Sequence, residues 1–266
     1  MVRSHPSRQI LAFLGRGYRY INTTHMKIIN CEQKSKEWLD IRKCKVTATK
    51  LEEVMGTPLA RVQLIAELIG EELTMTADAE KSWVTPAMER GNEEEPKTIE
   101  LFEKKTGNKV RSVGFCIHDY FDWFGYSPDG LFNENEDCID GIEMKNPNTK
   151  TFVFYQLTNL VGMEELGLGT WSKKENTFTP SAKAPFLGVP ADYKWQVVAG
   201  FMINEKQKRL HFLVHDSRIT DPEKQLYIVV VNRENELLQE AMKEADEALI
   251  KFRADWLKWR DIILKK

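Results

Sequence analysis

The chain has 266 residues, of which 40 are acidic and 38 are basic, so its formal net charge is −2. Hydrophobic residues make up 42% of it and charged residues 29%, which is typical of a globular protein and excludes wholesale disorder. The sequence contains no apolar run near the roughly 18 residues that a membrane-spanning helix needs. Because the net charge is close to zero, the protein is not a polycation as a whole, and any nucleic acid must be held by local basic patches.

Four cysteines are scattered along the chain without a C-x-x-C pair. Zinc and iron–sulfur sites usually place their ligands two to four residues apart, so this spacing favours free thiols in an intracellular protein. The cysteines are Cys31, Cys44, Cys116 and Cys138.

The first 25 residues differ in composition from the rest, because they contain four arginines and no acidic residue. We predict that residues 1–25 form a basic, disordered extension or precede a true start at Met26. An organelle-targeting peptide is the alternative. Residues 26–266 are then expected to form a single domain.

Capping residues and hydrophobic periodicity predict the order of helices and strands. Ser35, Thr57-Pro58 and Thr85-Pro86 are typical helix starts. A segment rich in Gly, Pro, Ser, Thr and Lys near 162–190 reads as an inserted loop. In chain order, the pattern predicts helices at 35–42, 47–50, 59–73 and 85–107, strands at 110–118, 123–127 and 139–145, a helix at 192–203, strands at 209–215 and 226–231, and a helix at 233–264.

Two carboxylates and a lysine lie close together in this pattern. Asp129 follows the predicted strand 123–127, and Glu143 lies 14 positions later on the next strand, far enough for a turn and an antiparallel return. Glu143 and Lys145 then point to the same face. Two carboxylates and the backbone carbonyl of Met144 suit Mg²⁺, while the lysine can orient a water for phosphodiester hydrolysis.

The Glu-x-Lys triplet carries little information by itself. A chain with this many charges contains roughly six acid-x-base triplets by chance. An aspartate in Ser-Pro-Asp-Gly is also a common turn former. The Asp129 and Glu143 pair therefore needs support from the rest of the sequence.

That support comes from six short motifs in a fixed order. They are Trp38-x-x-x-Arg42, Val46-Thr47-Ala48-Thr49-Lys50, Gly91-x-x-x-Glu95-Pro96, Ser127-Pro128-Asp129-Gly130, Glu143-x-Lys145 and Tyr193-x-x-Gln196. In this order, from about Gln33 to the last helix, the chain resembles the phage-type alkaline exonucleases, the lambda exonuclease and YqaJ-like viral recombinase family.

The resemblance implies a fold and an activity. The fold is the α/β (α+β) PD-(D/E)XK restriction-endonuclease-like core, a central mixed β-sheet flanked by helices. The activity is a Mg²⁺-dependent 5′-to-3′ exonuclease, with Mn²⁺ as a substitute, that degrades one strand of linear duplex DNA. The remaining 3′ single strand would pass to an annealing protein for recombination. The family also implies a ring-shaped homotrimer and, for a virus, a location in the host cytoplasm or nucleus.

The resemblance also implies roles for individual residues. Asp129, Glu143 and the Met144 carbonyl match the metal ligands, Lys145 matches the residue that positions the nucleophilic water, and Gln196 matches a further site residue. Glu95, rather than Glu93 or Glu94, has the family's spacing from Gly91 and matches an acid that supports the metal or its waters. The matches to the 5′-phosphate pocket are Arg42, Thr49 and Ser127, with Trp38 as a weaker DNA-binding candidate or a core residue.

One departure from the family pattern concerns the last motif. The family commonly has Tyr-x-x-Gln-x-Gln, whereas the second glutamine is replaced here by Val198. The loop near 162–190 is also additional to the family pattern, and its Lys173, Lys174 and Lys183 either contact DNA or are merely solvated. Two other functions stay open on the sequence. One is a structure-specific or restriction-like endonuclease of the same fold, and the other is a non-catalytic module that binds DNA ends.

Overall fold

The structure is a computed structural model that describes residues 26–75, 86–135 and 138–265. The basic segment predicted at 1–25 lies outside the described residues. Within the described ranges, no helix is both long and apolar enough to cross a bilayer.

The helices begin where the sequence places capping side chains. Ser35 accepts a hydrogen bond from the Trp38 amide, and Thr57 accepts one from the Ala60 amide before a proline in the first turn. In the described part of the chain the helices are α1 (Lys36–Arg42), α2 (Leu51–Met55), α3 (Pro58–Thr74), α4 (Pro86–Thr106), α5 (Thr149–Leu160), α6 (Lys194–Ile203) and α7 (Glu236–Leu264).

The described strands form two four-stranded mixed sheets and one hairpin. The first sheet has the order β1-β3-β4-β2 and contains β1 (Lys27–Ile29), β2 (Val46–Thr47), β3 (Phe115–Ile117) and β4 (Phe124–Tyr126). The second has the order β10-β9-β6-β5 and contains β5 (Gly130–Asn135), β6 (Cys138–Lys145), β9 (Arg209–His215) and β10 (Leu226–Asn232). The hairpin consists of β7 (Gly169–Ser172) and β8 (Thr177–Pro180).

These sheets confirm the predicted α+β class and its mixed strand directions, with the strands divided between two sheets. In the first sheet β2 runs parallel to β4, and in the second β6 runs parallel to β9. The other described pairings within both sheets are antiparallel.

The strand predicted just before Asp129 is present, but its expected pairing with the strand of Glu143 is wrong. The predicted strand at 123–127 is β4 of the first sheet, and the antiparallel partner of β6 is the unpredicted β5 in the second. The sequence of β5 is Gly-Leu-Phe-Asn-Glu-Asn, which lacks the β-branched residues that usually mark a strand. Its pairing with β6 supplies the stabilisation that local propensity does not.

Other elements also differ from the sequence prediction. The strand expected at 110–118 shortens to β3, because Arg111 forms only an isolated bridge with Leu131. The inserted loop near 162–190 contains the β7–β8 hairpin. Helix α5 was not predicted, since its aromatic and β-branched residues are weak helix formers.

The main core surrounds α6, where every residue from Val197 to Ile203 is buried. Helix α7 packs against α6, α2 and α3. It does so through a stripe of residues spaced three or four apart, as expected for an amphipathic helix. The stripe consists of Leu238, Ala241, Ala245, Leu249, Phe252 and Trp256. This packing fixes α6 beside the second sheet, and the first turn of α6 carries Gln196.

Candidate active site

The β5–β6 hairpin holds Asp129 beside the end of β6. The Asp129 amide donates to the Ile142 carbonyl over 3.2 Å, and its carboxylate accepts from the Met144 amide over 2.7 Å. The first bond continues the antiparallel register in which Gly130 is opposite Ile142, and the second holds the carboxylate itself. Asp129 is therefore positioned by backbone pairing, although it precedes the strand itself.

Glu143 and Lys145 lie on the same face of β6 and contact each other. The Lys145 ammonium donates to Oε1 of Glu143, and the Gln196 amide donates to the same oxygen over 2.6 Å. Nζ of Lys145 also lies 4.8 Å from the centre of the Tyr193 ring. The hairpin and the start of α6 thus bring together four of the residues selected from the sequence.

The two carboxyls sit in an environment that disfavours negative charge. Burial raises the pKa of Asp129, and Lys145 offsets only part of that effect. Burial, followed by repulsion from Asp129, raises the pKa of Glu143 to about 7. Burial alone would lower the pKa of Lys145, but Glu143 and Asp129 outweigh it and raise that pKa. The site therefore holds a partly buried, charged ammonium beside two carboxyls whose negative charge a further cation would stabilise.

Glu95 on α4 faces this cluster from the open side. Burial raises the pKa of Glu95, Lys34 lowers it and the Asp129 charge raises it, which shows that its carboxyl lies within electrostatic reach of the pair. Its Oε1 is 3.8 Å from Nζ of Lys34, and its side chain is 41% exposed. Glu94 turns away into the interior, 3.7 Å from Nδ1 of His215, and Glu93 is exposed.

A second polar cluster lies next to the first. The Ser127 hydroxyl accepts from the Trp38 indole over 2.8 Å and from the Arg42 guanidinium over 3.1 Å. The guanidinium carbon of Arg42 lies 4.0 Å from the centre of the Trp38 ring. Trp38 is therefore partly buried as a support for Arg42 and Ser127, which agrees better with a structural role than with base stacking.

Arg42 is a partly buried cation without a bound carboxylate. Burial lowers the pKa of its guanidinium to about 10, and in the described ranges no acidic side chain lies within salt-bridge distance of it. Thr49 is exposed and its hydroxyl is 3.0 Å from that of Thr47. The hydrogen bonds of the described residues do not join Thr49 to Arg42 or Ser127. Arg42 and Ser127 are thus assembled, with Thr49 outside the pair.

The structure explains the departure at Val198 and adds two residues that the sequence analysis missed. Val198 is fully buried in the core, because positions two apart on a helix point in nearly opposite directions. Lys34 contacts Glu95, and Asn146 follows Lys145 and bonds to α4. No local pattern marks either residue, since their partners lie more than 50 positions away.

The donor set fits a hard divalent cation with several waters of its own. Among the described residues, no group of three or more His, Cys, Asp or Glu side chains is arranged to hold a metal ion. A buried carboxylate, a partly buried one and a backbone carbonyl are nevertheless ligands of the kind that a hard cation such as Mg²⁺ takes, together with several waters. The raised pKa values of Asp129 and Glu143 identify the place where a positive charge would be favourable.

Comparison with known proteins agrees with this arrangement. Two solved structures of LHK-Exo, an alkaline exonuclease from Laribacter hongkongensis, are each 26% identical and match 87% of this chain and 99% of their own. Their TM-scores are 0.62 for the first and 0.63 for the complex with dAMP, and the likeness is consistent with the expected PD-(D/E)XK-like core. No curated protein sequence matches this chain. The model of the YqaJ-like viral recombinase domain matches residues 37–207, which is more than half of the chain, so this protein belongs to the YqaJ-like viral recombinase family.

Proposed function

We propose that this protein is a Mg²⁺-dependent 5′-to-3′ exonuclease that degrades one strand of linear duplex DNA and leaves 3′ single-stranded tails. The observation that carries the proposal is the convergence of Asp129, Glu143 and Lys145 next to the carboxylate-free cation Arg42. The similarity to LHK-Exo, which is an alkaline exonuclease, supports the same activity.

Asp129, Glu143 and the Met144 carbonyl would hold the metal, and Glu95 would support its waters from α4. When bound, Mg²⁺ would supply positive charge to the phosphate oxygens and lower the pKa of a bound water. Gln196 donates to Glu143 and so fixes the orientation of that carboxylate. Mn²⁺ has similar preferences for oxygen ligands and is expected to substitute.

Lys145 supplies the remaining charge in the reaction. Its raised pKa keeps the ammonium protonated at neutral and alkaline pH. From its place beside Glu143 it can orient the attacking water and stabilise negative charge on the pentacoordinate phosphate. The aromatic face of Tyr193 restricts where the ammonium can lie.

Arg42 and Ser127 account for a preference for 5′-phosphorylated ends. A guanidinium and a hydroxyl at one point are suited to bind a terminal phosphate, and Arg42 lacks a competing acidic partner. Ser127 lies two residues before Asp129, at most about 7 Å along the chain. Gln33 strengthens this link by donating to the Pro128 carbonyl over 3.0 Å. The terminal phosphate and the next phosphate of the same strand can therefore occupy the two clusters together.

The test compares three DNA substrates in the presence of Mg²⁺. Linear duplex with 5′-phosphates should be degraded to nucleotides, linear duplex with 5′-hydroxyls should be degraded more slowly, and closed circular plasmid should remain intact. Cutting of the closed circle would establish an endonuclease of the same fold instead. Binding of DNA ends without release of nucleotides from any substrate would establish a non-catalytic module.

Glu95 provides a matched comparison on a single helix. Glu95→Gln should lower the exonuclease rate and raise the Mg²⁺ concentration needed for half-maximal rate, each by about tenfold or more. Glu93→Gln, an exposed change two residues away, should alter neither quantity. Equal behaviour of the two variants would remove Glu95 from the site.

The partners implied by the family are part of the same proposal. We expect the protein to form a homotrimer and to deliver its 3′ tails to a single-strand annealing protein. Light scattering on the purified protein measures the first, and a monomeric mass would contradict it. Co-purification with an annealing protein that is expressed together with it measures the second.

A further inference from the structure

Asn146 links the strand that carries the acidic pair to the helix that carries Glu95. It directly follows Lys145, where β6 ends. Its side-chain amide donates to the Gly91 carbonyl over 3.2 Å, and its side-chain oxygen accepts from the Thr98 hydroxyl over 3.0 Å. Its backbone carbonyl accepts from Arg90 over 3.2 Å. All three partners lie on α4, on both sides of Glu95.

We infer that Asn146 is a positioning residue, which sets the distance between Glu95 on α4 and the Asp129, Glu143 and Lys145 cluster on the hairpin. The inference rests on the proposed function, because it concerns how the same metal site is assembled. An asparagine is suited to this task, since one side chain offers both a donor and an acceptor in a fixed plane. Either bond alone would leave α4 free to pivot about it, whereas the two side-chain bonds with the Arg90 bond fix the helix at three points.

The buried side chain of His215 contacts Thr98 and holds it in place. Thr98 is fully buried, and its hydroxyl is 3.0 Å from Nδ1 of His215 on β9. The same hydroxyl lies 3.0 Å from the Glu94 carbonyl, so its one proton is shared between that carbonyl and the Asn146 oxygen. Burial lowers the pKa of His215, which favours its neutral ring. The chain Asn146, Thr98 and His215 therefore ties β6, α4 and β9 together beneath the site.

Asn146 affects the position of Glu95, whereas apolar packing attaches α4 to the sheet. Helix α4 also packs on the second sheet through Phe102, which is fully buried, so its attachment to the sheet does not depend on Asn146. Phe102 lies two turns beyond Glu95, whereas Gly91 and Thr98 lie within about one turn of it on either side. Loss of Asn146 should therefore disturb the place of Glu95 more than the overall stability.

The experiment compares two asparagine-to-alanine variants. Asn146→Ala removes the bonds to α4, and Asn159→Ala removes bonds of similar length, to the Gly188 carbonyl over 2.6 Å and the Tyr227 hydroxyl over 3.3 Å, at a different place. Calorimetric titration of the DNA-free protein with Mn²⁺ measures metal affinity, and exonuclease assays at varied Mg²⁺ and varied DNA ends measure kcat and KM. Thermal unfolding reports the stability of each variant.

Asn146→Ala should weaken Mn²⁺ binding and lower kcat by about tenfold or more, with KM for 5′-phosphorylated ends changed by less than about twofold. Asn159→Ala should leave all three quantities unchanged. Thr98→Val should show part of the same loss, and Thr98→Ser, which keeps the hydroxyl, should restore it. If Asn146→Ala does not fold, the two Thr98 variants decide the question.

Metal affinity and kcat equal to wild type in Asn146→Ala would overturn the inference, as would equal losses in both asparagine variants. Wild-type protein that binds Mn²⁺ but degrades no DNA would refute the proposed function instead. In that case the Mn²⁺ titrations of the same variants would still test the role of Asn146.

Discussion

Lys145→Met removes the partly buried ammonium while keeping a side chain of nearly the same length. The proposed mechanism needs this charge in the transition state, so we expect the exonuclease rate to fall by at least about a hundredfold. Binding of 5′-phosphorylated ends should change little, because Arg42 and Ser127 form a separate cluster. Gel-shift measurements with Ca²⁺ in place of Mg²⁺ separate binding from turnover.

The free energy of unfolding that is lost in Lys145→Met should depend on pH. With a pKa of about 7, Glu143 of the folded wild type ionises between pH 7 and pH 9, and attraction to Lys145 contributes to that ionisation. Without the lysine, the pKa of Glu143 rises further and this contribution is lost. The variant is therefore destabilised more strongly relative to wild type at pH 9, where the wild-type carboxyl is ionised, than at pH 7.

The sign follows from the protons bound in each state. The folded variant keeps the proton on Glu143 that the unfolded chain has released, so its free energy of unfolding falls as pH rises. Urea unfolding in EDTA at the two pH values should show destabilisation that grows by about 2 kcal/mol from pH 7 to pH 9. A rate within tenfold of wild type, or equal destabilisation at both pH values, would refute the reasoning.

Three further substitutions test the cluster of Arg42 and Ser127 and the packing of the first sheet. Arg42→Ala should reduce the preference for 5′-phosphate over 5′-hydroxyl ends by about 10- to 100-fold in kcat/KM, the loss of a charged hydrogen bond, whereas Lys36→Ala on the same helix should not. Trp38→Phe keeps a ring under the guanidinium but removes the indole donor to Ser127, so the same ratio should fall only about fivefold; a loss as large as that of Arg42→Ala would contradict this division of roles. Gly125→Ala would place a methyl group 2.6 Å from the Cys116 carbonyl and from the Phe115 ring, so urea unfolding should show a loss of about 2 kcal/mol or more, and unchanged stability would show that β3 and β4 can separate.

Much of the fold was predictable because local signals agreed with tertiary packing. The starts of α1 and α3 follow from Ser35 and from Thr57-Pro58. Each hydroxyl accepts a hydrogen bond from an amide in the first turn of its helix, so these starts depend on neighbouring residues only. The strand predicted at 209–215 matches β9 at both ends. Strand β5 and helix α5 were missed, since their residues have weak propensities and their stability comes from contacts with distant parts of the chain.

The sequence by itself determined which residue types and motifs were available, including the acidic pair, the lysine on the same strand face and the arginine of α1. The tertiary structure alone decided that Asp129 belongs to the second sheet through β5, that Thr49 stands apart from Arg42, and that Asn146 and Lys34 contact the helix of Glu95. The physical reason is the distance along the chain over which each interaction acts. Strand alternation and capping act over a few residues, whereas the distances between charges in this site depend on how separate elements pack.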